Sequence, residues 1–368
     1  MTATYFSIKT QFENVGDALI NREMIRLASQ NSMVHLDLSR CDKNFSRLLL
    51  EDLPANAVVL KFGFFQLLLS IFWMRVKRVD CYYFLSPGGY FGEIRKFEIL
   101  SKILSTLLLL VFSLSRIKVC HVGVSYERLG KAHTALLRFR SRILFRHLTR
   151  DQESFNLAQS LSIRVHGTIP DFAFNIFPDP EIKQSPAPAP APALLLSFRT
   201  DQAKDQLNSA KALIDKLNDV YPENFLFNFY CQVERDREST KTLHLHAKHN
   251  YKRQINFTDI QGDIEASLRF FKHNTHAISN RLHVLLMAAS AGVKINAATY
   301  ESFNQKTSNL LLEILNNADK KNSLIQLDGT NESLNTDNIT FSITNQGSIE
   351  KQKLISDFSR IFRTQDTP

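Results

Sequence analysis

The chain has 368 residues, 44% of them apolar and 22% charged, a globular composition long enough for two domains of ordinary size. Its net charge of +9, from 45 Lys+Arg against 36 Asp+Glu, points to an anionic partner: nucleic acid, an anionic membrane surface or a phosphorylated substrate. Cys41, Cys81, Cys120 and Cys231 form no CxxC pair, which argues against a zinc site or disulfide framework and for a reducing cytoplasm.

Reading in chain order, MTATYFSIKTQFENVGD lacks the basic start and apolar core of a signal peptide. Within it Thr4–Lys9 reads as a first strand and FENVGD as a loop, with a helix following over Ala18–Ser29. Further strands are expected at Val34–Leu38, Ala57–Lys61, Val79–Phe84, Lys118–Val124 and Arg146–Thr149. Helical stretches lie between them, around 64–75, 93–115 and 131–145. A short helix at 152–160 and an edge strand at 163–165 close the first half. The most apolar run, Ile103–Leu114, is about a dozen residues against the roughly 20 a bilayer span needs, so it reads as a core helix. A soluble, cytoplasmic protein is the expectation.

The alternating QSPAPAPAPA ending at Ala193 forms neither helix nor sheet interior and reads as a stiff spacer. It divides the chain into a lobe of residues 1–180, a linker over 181–193 and a second lobe of 194–368. The second lobe restarts with strand Leu194–Phe198 and helix Gln202–Asn218, then strand Phe225–Cys231 and a charged loop. Helix Asp263–Phe271, strand Ala277–Ser279, helix Leu282–Ala291, strand Val293–Ala297 and helix Lys306–Asn316 follow. An amphipathic helix is expected at Ile349–Phe362. Near-continuous apolar strands alternating with helices imply an α/β protein of two Rossmann-like lobes with parallel sheets covered on both faces. Ligands are then expected at the carboxyl ends of the strands, in a cleft between the lobes.

Several stretches carry candidate chemistry. In SNRLHVLLMAASAG, Arg281 and His283 stand two residues apart in the first turn of an apolar helix, with Ser279 and Asn280 as candidate N-caps. An arginine at the positive pole of a helix is unfavourable without an anion beside it. Either this end is solvated, or it faces an anion. FENVGDALI places Asn14, Gly16 and Asp17 where a loop opens a helix, with Asp17 equally readable as an N-cap. In SPGGYFGE, Gly88 and Gly89 permit close backbone approach to a ligand or make a tight turn. VGVSYERLG offers Ser125 beyond Gly123. LTRDQESF reads as structural, with Thr149 or Asp151 capping a helix, and LLLSFRTD ends a central strand on Arg199, a second anion-binding candidate. In KAHTALLRFRSRILFRHL, Arg138, Arg142 and Arg146 recur every four residues opposite Leu136, Leu137, Phe139, Ile143, Leu144 and Leu148. That is a solvated helix face, or one that meets an anionic membrane surface or lipid phosphate. Nucleic acid is disfavoured, because aromatic and basic residues do not interleave on a recognisable module. No cluster has metal-ligand spacing.

Taken together, FENVGDALI, SPGGYFGE, VGVSYERLG, LTRDQES with IPDFAF, LLLSFR, QVERD and ISNRLHVLLMAASAGVKINAATY resemble, in order, the polysaccharide pyruvyl transferase family. The resemblance covers most of residues 5–306. It implies a two-lobed fold like that of GT-B glycosyltransferases and transfer of the pyruvyl skeleton of phosphoenolpyruvate onto a sugar as a cyclic ketal. By the family pattern Arg199, Arg281, the backbone at Leu282, and His283 hold phosphoenolpyruvate from the second lobe. His283 is the candidate acid, since an imidazolium can donate a proton while holding an anion. Asp17 is the candidate base, and Asn14, Gly16, Asp17, Gly88, Gly89 and Ser125 are the candidate acceptor contacts. No cofactor or metal is expected beyond phosphoenolpyruvate as co-substrate. The expected acceptor is a sugar of a cell-surface polysaccharide or its precursor; a precursor on a lipid diphosphate would suit the positive charge, as would peripheral contact with the inner membrane face. The chain departs from the family pattern at Pro87, where a glycine is common, and at Lys294, where a proline is usual. Two other readings compete: a GT-B glycosyltransferase using a nucleotide sugar, with Glu301 as ribose-binding carboxylate, and a non-catalytic glycan- or membrane-binding protein using the Arg138/Arg142/Arg146 face.

Overall fold

The computed structural model describes residues 2–92, 98–179, 191–201, 205–260, 263–299, 305–314, 324–326 and 342–363. The chain divides into two compact units: residues 1–12, 17–172 and 353–368 form the first, residues 13–16 and 173–352 the second.

The first unit contains strands β1 (Thr2–Ser7), β2 (Met33–Asp37), β3 (Ala57–Val59), β4 (Asp80–Leu85), β5 (Gly88–Gly92), β6 (Lys118–Leu129), β7 (Arg146–Thr149) and β8 (Gly167–Thr168). They pair in parallel in the order β3-β2-β1-β4-β6-β7-β8, with β5 added along β6. Helices α1 (Val15–Ser29), α2 (Lys43–Leu50), α3 (Gly63–Val76), α4 (Ile99–Leu114), α5 (Lys131–Ile143) and α6 (Gln152–Ser160) cover it. Alternation within the strands sets the faces: Tyr5 of β1 and Tyr83 of β4 pack with Leu67 and Ile71 of α3 and Leu109 and Phe112 of α4 in one core. A register shift in β6 falls at Gly123, whose φ of +71° and contact with the Phe172 ring leave no room for a side chain.

In the second unit β9 (Ala193–Ser197), β10 (Leu226–Tyr230), β11 (Ile255–Thr258), β12 (His276–Ser279), β13 (Lys294–Thr299) and β14 (Leu324–Gln326) form a parallel sheet in the order β11-β10-β9-β12-β13-β14. Helices α7 (Gln206–Val220), α8 (Arg237–Asn250), α9 (Ile264–Phe271), α10 (Leu282–Ser290), α11 (Gln305–Ile314) and α12 (Thr344–Arg363) accompany it. Residues of α12 up to 352 belong to the second unit and those from 353 to the first. The run ALLLS is wholly buried because β9 has a strand on each edge and helices on its faces. In both sheets the strand order reverses direction once, between β1 and β4 and between β9 and β12. Such a reversal opens a crevice at the carboxyl ends of the two strands, the place where doubly wound sheets hold ligands.

Several elements differ from expectation. The charged stretch after Cys231 is a helix, α8, because Thr240, Leu243 and Ala247 supply a narrow buried stripe beneath an otherwise polar surface. The edge strand lies at Gly167–Thr168 rather than 163–165. Gly88 and Gly89 open β5 instead of a turn, held in register against Val124 and Ser125. The basic segment is not one amphipathic helix. α5 stops at Ile143, Arg146 and Leu148 belong to β7, and Arg140, between the two exposed arginines 138 and 142, is buried. Asp151 is the cap of α6, accepting from the Ser154 amide at 2.6 Å. The Pro-Ala linker falls largely on 180–190, outside the described residues, as do Tyr300 and Glu301. No described helix is long and apolar enough to cross a membrane.

Candidate functional site

The strand reversal of the second unit brings two chain segments together. β9 runs out through Phe198 to Arg199, and β12 runs out through Asn280 to Arg281. Asn280 ties them: its Oδ1 accepts from the Arg199 amide at 2.7 Å, and its Nδ2 donates to the Arg199 carbonyl at 2.8 Å. Below it, the Ser279 hydroxyl donates to the Ser197 carbonyl at 2.6 Å and accepts from the Arg281 amide at 2.9 Å. Ser279 and Asn280 therefore do not cap α10, contrary to expectation. Arg281 itself occupies the N-cap position, and no side chain caps the helix. The positive end of the helix therefore carries no side-chain cap among the described residues.

Arg281 is only 9% exposed and ion-pairs through Nη2 with the buried Asp236 carboxylate. Its Nε and the second oxygen of Asp236 are buried without a hydrogen bond among the described residues. Burial pulls the Arg281 guanidinium below its usual range against the opposing charge of Asp236, while Arg199 and Arg235 pull it down further. Burial likewise raises the Asp236 carboxyl, against the pull of Arg281.

Arg199 lies against Asp201, with Nε 2.5 Å from Oδ1 and Nη2 3.3 Å from Oδ2, and Arg235 approaches the same carboxylate at 4.0 Å. Burial works to raise Asp201, but the hydrogen bond and charge of Arg199, with Arg235 and Arg281 behind them, hold it below the ordinary carboxylate range. Three guanidinium groups thus share two carboxylates at one sheet edge. A small ligand with several negative charges can replace carboxylate contacts with its own oxygens.

His283 is the second residue of α10, in its first turn, and Gly16 is pressed against its ring. A Cβ at Gly16 would overlap the imidazole and stand 2.7 Å from Gln232 Nε2. Segment 13–16 belongs to this unit because Asn14 bridges to Val233, accepts from Gln232 Nε2 at 3.2 Å and accepts from the Gly16 amide at 3.0 Å. The structure therefore assembles Arg199, Arg281, Leu282, His283, Asn14 and Gly16 in one unit. Asp17 starts the next segment of the first unit, where Oδ2 accepts from the Thr10 hydroxyl at 2.5 Å and the Gln11 amide at 3.3 Å.

The remaining predicted acceptor residues lie elsewhere in the first unit. Gly88 and Gly89 start β5. Ser125 is fully buried, its hydroxyl accepting from Arg150 at 3.0 Å, while Arg150 also pairs with Asp171 at 2.9 Å. In this arrangement Ser125 is committed to an internal network and is not offered to a sugar. Sequence reasoning passed over Arg235, Asp236, Gln232 and Asp201. The first three stand in QVERD, a stretch singled out for resemblance without a role, whose run of charge was the available signal.

Residues 14–302 match the sequence model of the family described as Polysaccharide pyruvyl transferase. A search of curated proteins finds no match to the chain. Among solved structures, Anabaena Alr3699/HepE in complex with UDP is similar over 98% of this chain and 98% of that one, with a TM-score of 0.54 and 13% identity. A putative UDP-N-acetylglucosamine 2-epimerase from Listeria monocytogenes is similar over 100% and 98%, with a TM-score of 0.54 and 10% identity. The UDP-GlcNAc 2-epimerase of Methanocaldococcus jannaschii is similar over 97% and 100%, with a TM-score of 0.53 and 13% identity. At these identities the likeness establishes the fold, which is GT-B-like: α/β, with two parallel sheets covered by helices. The chain belongs to the polysaccharide pyruvyl transferase family.

Proposed function

From that membership and from the arginines gathered where β9 and β12 end, we propose that the chain moves the pyruvyl group of phosphoenolpyruvate onto a sugar of a cell-surface polysaccharide or its precursor, forming a cyclic ketal. The observation that carries the reading is Arg281. A buried arginine with an unsatisfied Nε, at the uncapped start of a helix and beside Arg199 and Arg235, is built to receive an anion. Phosphoenolpyruvate offers both a carboxylate and a phosphate, which suits several guanidinium forks rather than one.

The chemistry follows from the donor. His283 delivers a proton to the methylene carbon, which places positive character on the neighbouring carbon. A sugar hydroxyl attacks that carbon and yields its proton to a base, for which Asp17 is the candidate. The C–O bond to phosphate then breaks, and a second hydroxyl closes the ketal as its proton passes to the departing phosphate. One phosphoenolpyruvate and one diol give one ketal and one inorganic phosphate. The arginines stabilise the carboxylate throughout and the phosphate as it leaves.

Calorimetric titration of phosphoenolpyruvate into the wild type and Arg281→Ala tests the donor, with a UDP-sugar as control ligand. Saturable binding of phosphoenolpyruvate, lost in the variant, is the expected result. Binding of the UDP-sugar alone would replace this reading with glycosyl transfer.

A further inference from the structure

The first unit carries a surface that pyruvyl transfer does not use. α3 and α4 are apolar on both faces. Leu67 and Ile71 of α3, and Leu109 and Phe112 of α4, point into the core. On the outer side Phe62, Phe65, Leu69, Trp73 and Val76 recur at three- and four-residue spacing in and just before α3, with Phe62 78% and Trp73 60% exposed. Leu100, Ile103, Leu104, Leu107, Val111 and Leu114 do the same along α4, Leu114 being 76% exposed. The helices are neighbours: the Phe72 and Phe112 rings meet edge to face at 5.9 Å, and Arg75 Nε donates to the Ser115 carbonyl. Two adjacent stripes of this kind far exceed the scattered apolar residues of an ordinary solvent face.

Charge around the stripes is mostly positive, with Glu98 before α4 and Asp80 beyond α3 as the nearby carboxylates. Neither helix contains an acidic residue, while Arg75 lies in the last turn of α3, Lys77 and Arg78 follow it, and Arg116 follows α4. Lys77 Nζ stands 5.0 Å from the centre of the Trp73 ring. At the other end, toward the N-termini of both helices, lies a cavity of about 710 Å³ lined by Lys9, Arg40, Lys102 and Arg140, with Tyr83 and Ser86, and by no carboxylate among the described residues. Arg140 is buried, its Nη2 held by the Ser105 hydroxyl at 2.8 Å and the Thr106 hydroxyl at 2.9 Å, and it pairs with no carboxylate among the described residues. Burial pulls the Lys102 ammonium below its usual range, as do the charges of Arg140 and Lys9, against Glu98. Across α4 from this cavity an apolar groove of about 320 Å³ runs between α4 and α5, past Ile99, Ile103, Leu107, Leu136 and Phe139.

We propose that α3 and α4 dock the chain on an anionic membrane surface and that the Lys9/Arg40/Lys102/Arg140 cavity receives the phosphate of a lipid that carries the acceptor sugar. The word acceptor rests on pyruvyl transfer; the docking does not. α4, at 16 residues, is about 24 Å long and too short to span a bilayer core of about 30 Å, so it lies in the interface. The flanking cations meet anionic headgroups there. Two copies of the chain packed through the same face would instead bring these cations together with no helix carboxylate to answer them.

Trp73 is the single tryptophan of the chain and lies on the docking stripe, so its fluorescence reads insertion directly. With full-length protein and vesicles of phosphatidylcholine containing phosphatidylglycerol, its emission should shift to the blue and be quenched by brominated acyl chains. Phosphatidylcholine alone or high salt should weaken both signals. Phe65→Ser/Leu69→Ser should lower vesicle partitioning on the order of 100-fold while leaving the fold intact, since both side chains face solvent. Vesicles in which a polyprenyl phosphate replaces phosphatidylglycerol at equal charge should bind about 10-fold tighter, and Arg40→Ala/Lys102→Ala should abolish that preference while retaining docking. An unchanged Trp73 spectrum with anionic vesicles overturns the proposal. So does a dimer in solution that the Phe65/Leu69 variant dissolves, which would make the face a self-interface. Equal affinity for the two anionic vesicles removes the lipid-phosphate site. Vesicle docking with no phosphoenolpyruvate binding would sink the catalytic reading and leave the surface standing.

Discussion

Arg281 and Asp236, 45 residues apart in sequence, form a buried ion pair at the carboxyl edge of the second sheet. The pair answers a conflict written into α10, which begins with an arginine at the positive end of its own dipole. Asp236 supplies the missing negative charge, and Arg281 Nε stays buried without a hydrogen bond among the described residues.

Breaking this pair should therefore cost more than removing an exposed one. Arg281→Ala and Asp236→Asn each leave a buried group uncompensated, and each should lose about 3–5 kcal/mol of stability in denaturant unfolding. The ligand separates them: phosphoenolpyruvate should raise the melting temperature of Asp236→Asn by more than that of the wild type and leave Arg281→Ala unmoved. The paired replacement Arg281→Met/Asp236→Leu should recover most of the stability and bind no phosphoenolpyruvate. Single-variant losses under about 1 kcal/mol would mean that the pair is solvated.

Gly16 is a second point where a small change reaches the chemistry. Its backbone approaches the His283 ring so closely that Gly16→Ala must displace the imidazole or the loop. The expected cost in stability is about 1–3 kcal/mol. Turnover, followed by phosphate release, should fall on the order of 100-fold because the proton donor is moved. Phosphoenolpyruvate binding, which rests on the arginines, should change far less. Equal loss of binding and turnover would show that the loop supports the anion site rather than His283.

The strand–helix alternation was legible because its cues are local: apolar runs bounded by polar turns, and an Asp before α6 and α9; the short α2, capped by Asp42, was not expected. The same local logic hid α8, whose sequence RESTKTLHLHAKHN is too polar to announce a helix until Thr240, Leu243 and Ala247 are set against the sheet. It also misread Gly88-Gly89, where pairing with β6 overrides the turn preference of two glycines. At the site, Arg199, Arg281 and His283 were visible because each follows a predicted strand. Asp236 and Arg235 were not, since nothing in QVERD says that its charges reach residues in two other loops. The arginines of KAHTALLRFRSRILFRHL misled for the opposite reason. A four-residue spacing was extended past the end of α5, and the apolar surface lies on α3 and α4, where no charge pattern marks it.

Arg235 provides a test confined to the anion site. It is partly exposed and shares Asp201 with Arg199, so its loss should leave stability within about 0.5 kcal/mol. Phosphoenolpyruvate affinity should drop about 10-fold in Arg235→Ala, with partial recovery in Arg235→Lys, which restores the charge but not the planar fork. An affinity equal to that of the wild type in a calorimetric titration would remove Arg235 from the site.

The first unit holds a separate, acid-sensitive weakness at His121 and His147, two buried imidazoles stacked 5.5 Å apart between β6 and β7. His147 Nδ1 donates to the Arg164 carbonyl at 2.7 Å, which makes Nε2 the acceptor of the Tyr126 hydroxyl at 2.6 Å in the neutral ring. Burial pushes His147 down to about 4, against the Arg164 hydrogen bond and with help from the charge of His166. His121, with neither nitrogen hydrogen-bonded among the described residues, is held well below the usual range by burial and then by His147 and Arg140. The unfolded chain takes up protons on these rings first, so stability is full above pH 6.5 and falls as the pH drops toward 4. For His147 the loss approaches about 3 kcal/mol at the lower end. The urea midpoint should decline over that window, and His121→Phe, which replaces an unsatisfied ring by an apolar one of similar shape, should both raise the midpoint and flatten the decline. Parallel curves for wild type and variant from pH 7 to pH 4.5 would place the acid sensitivity outside this pair.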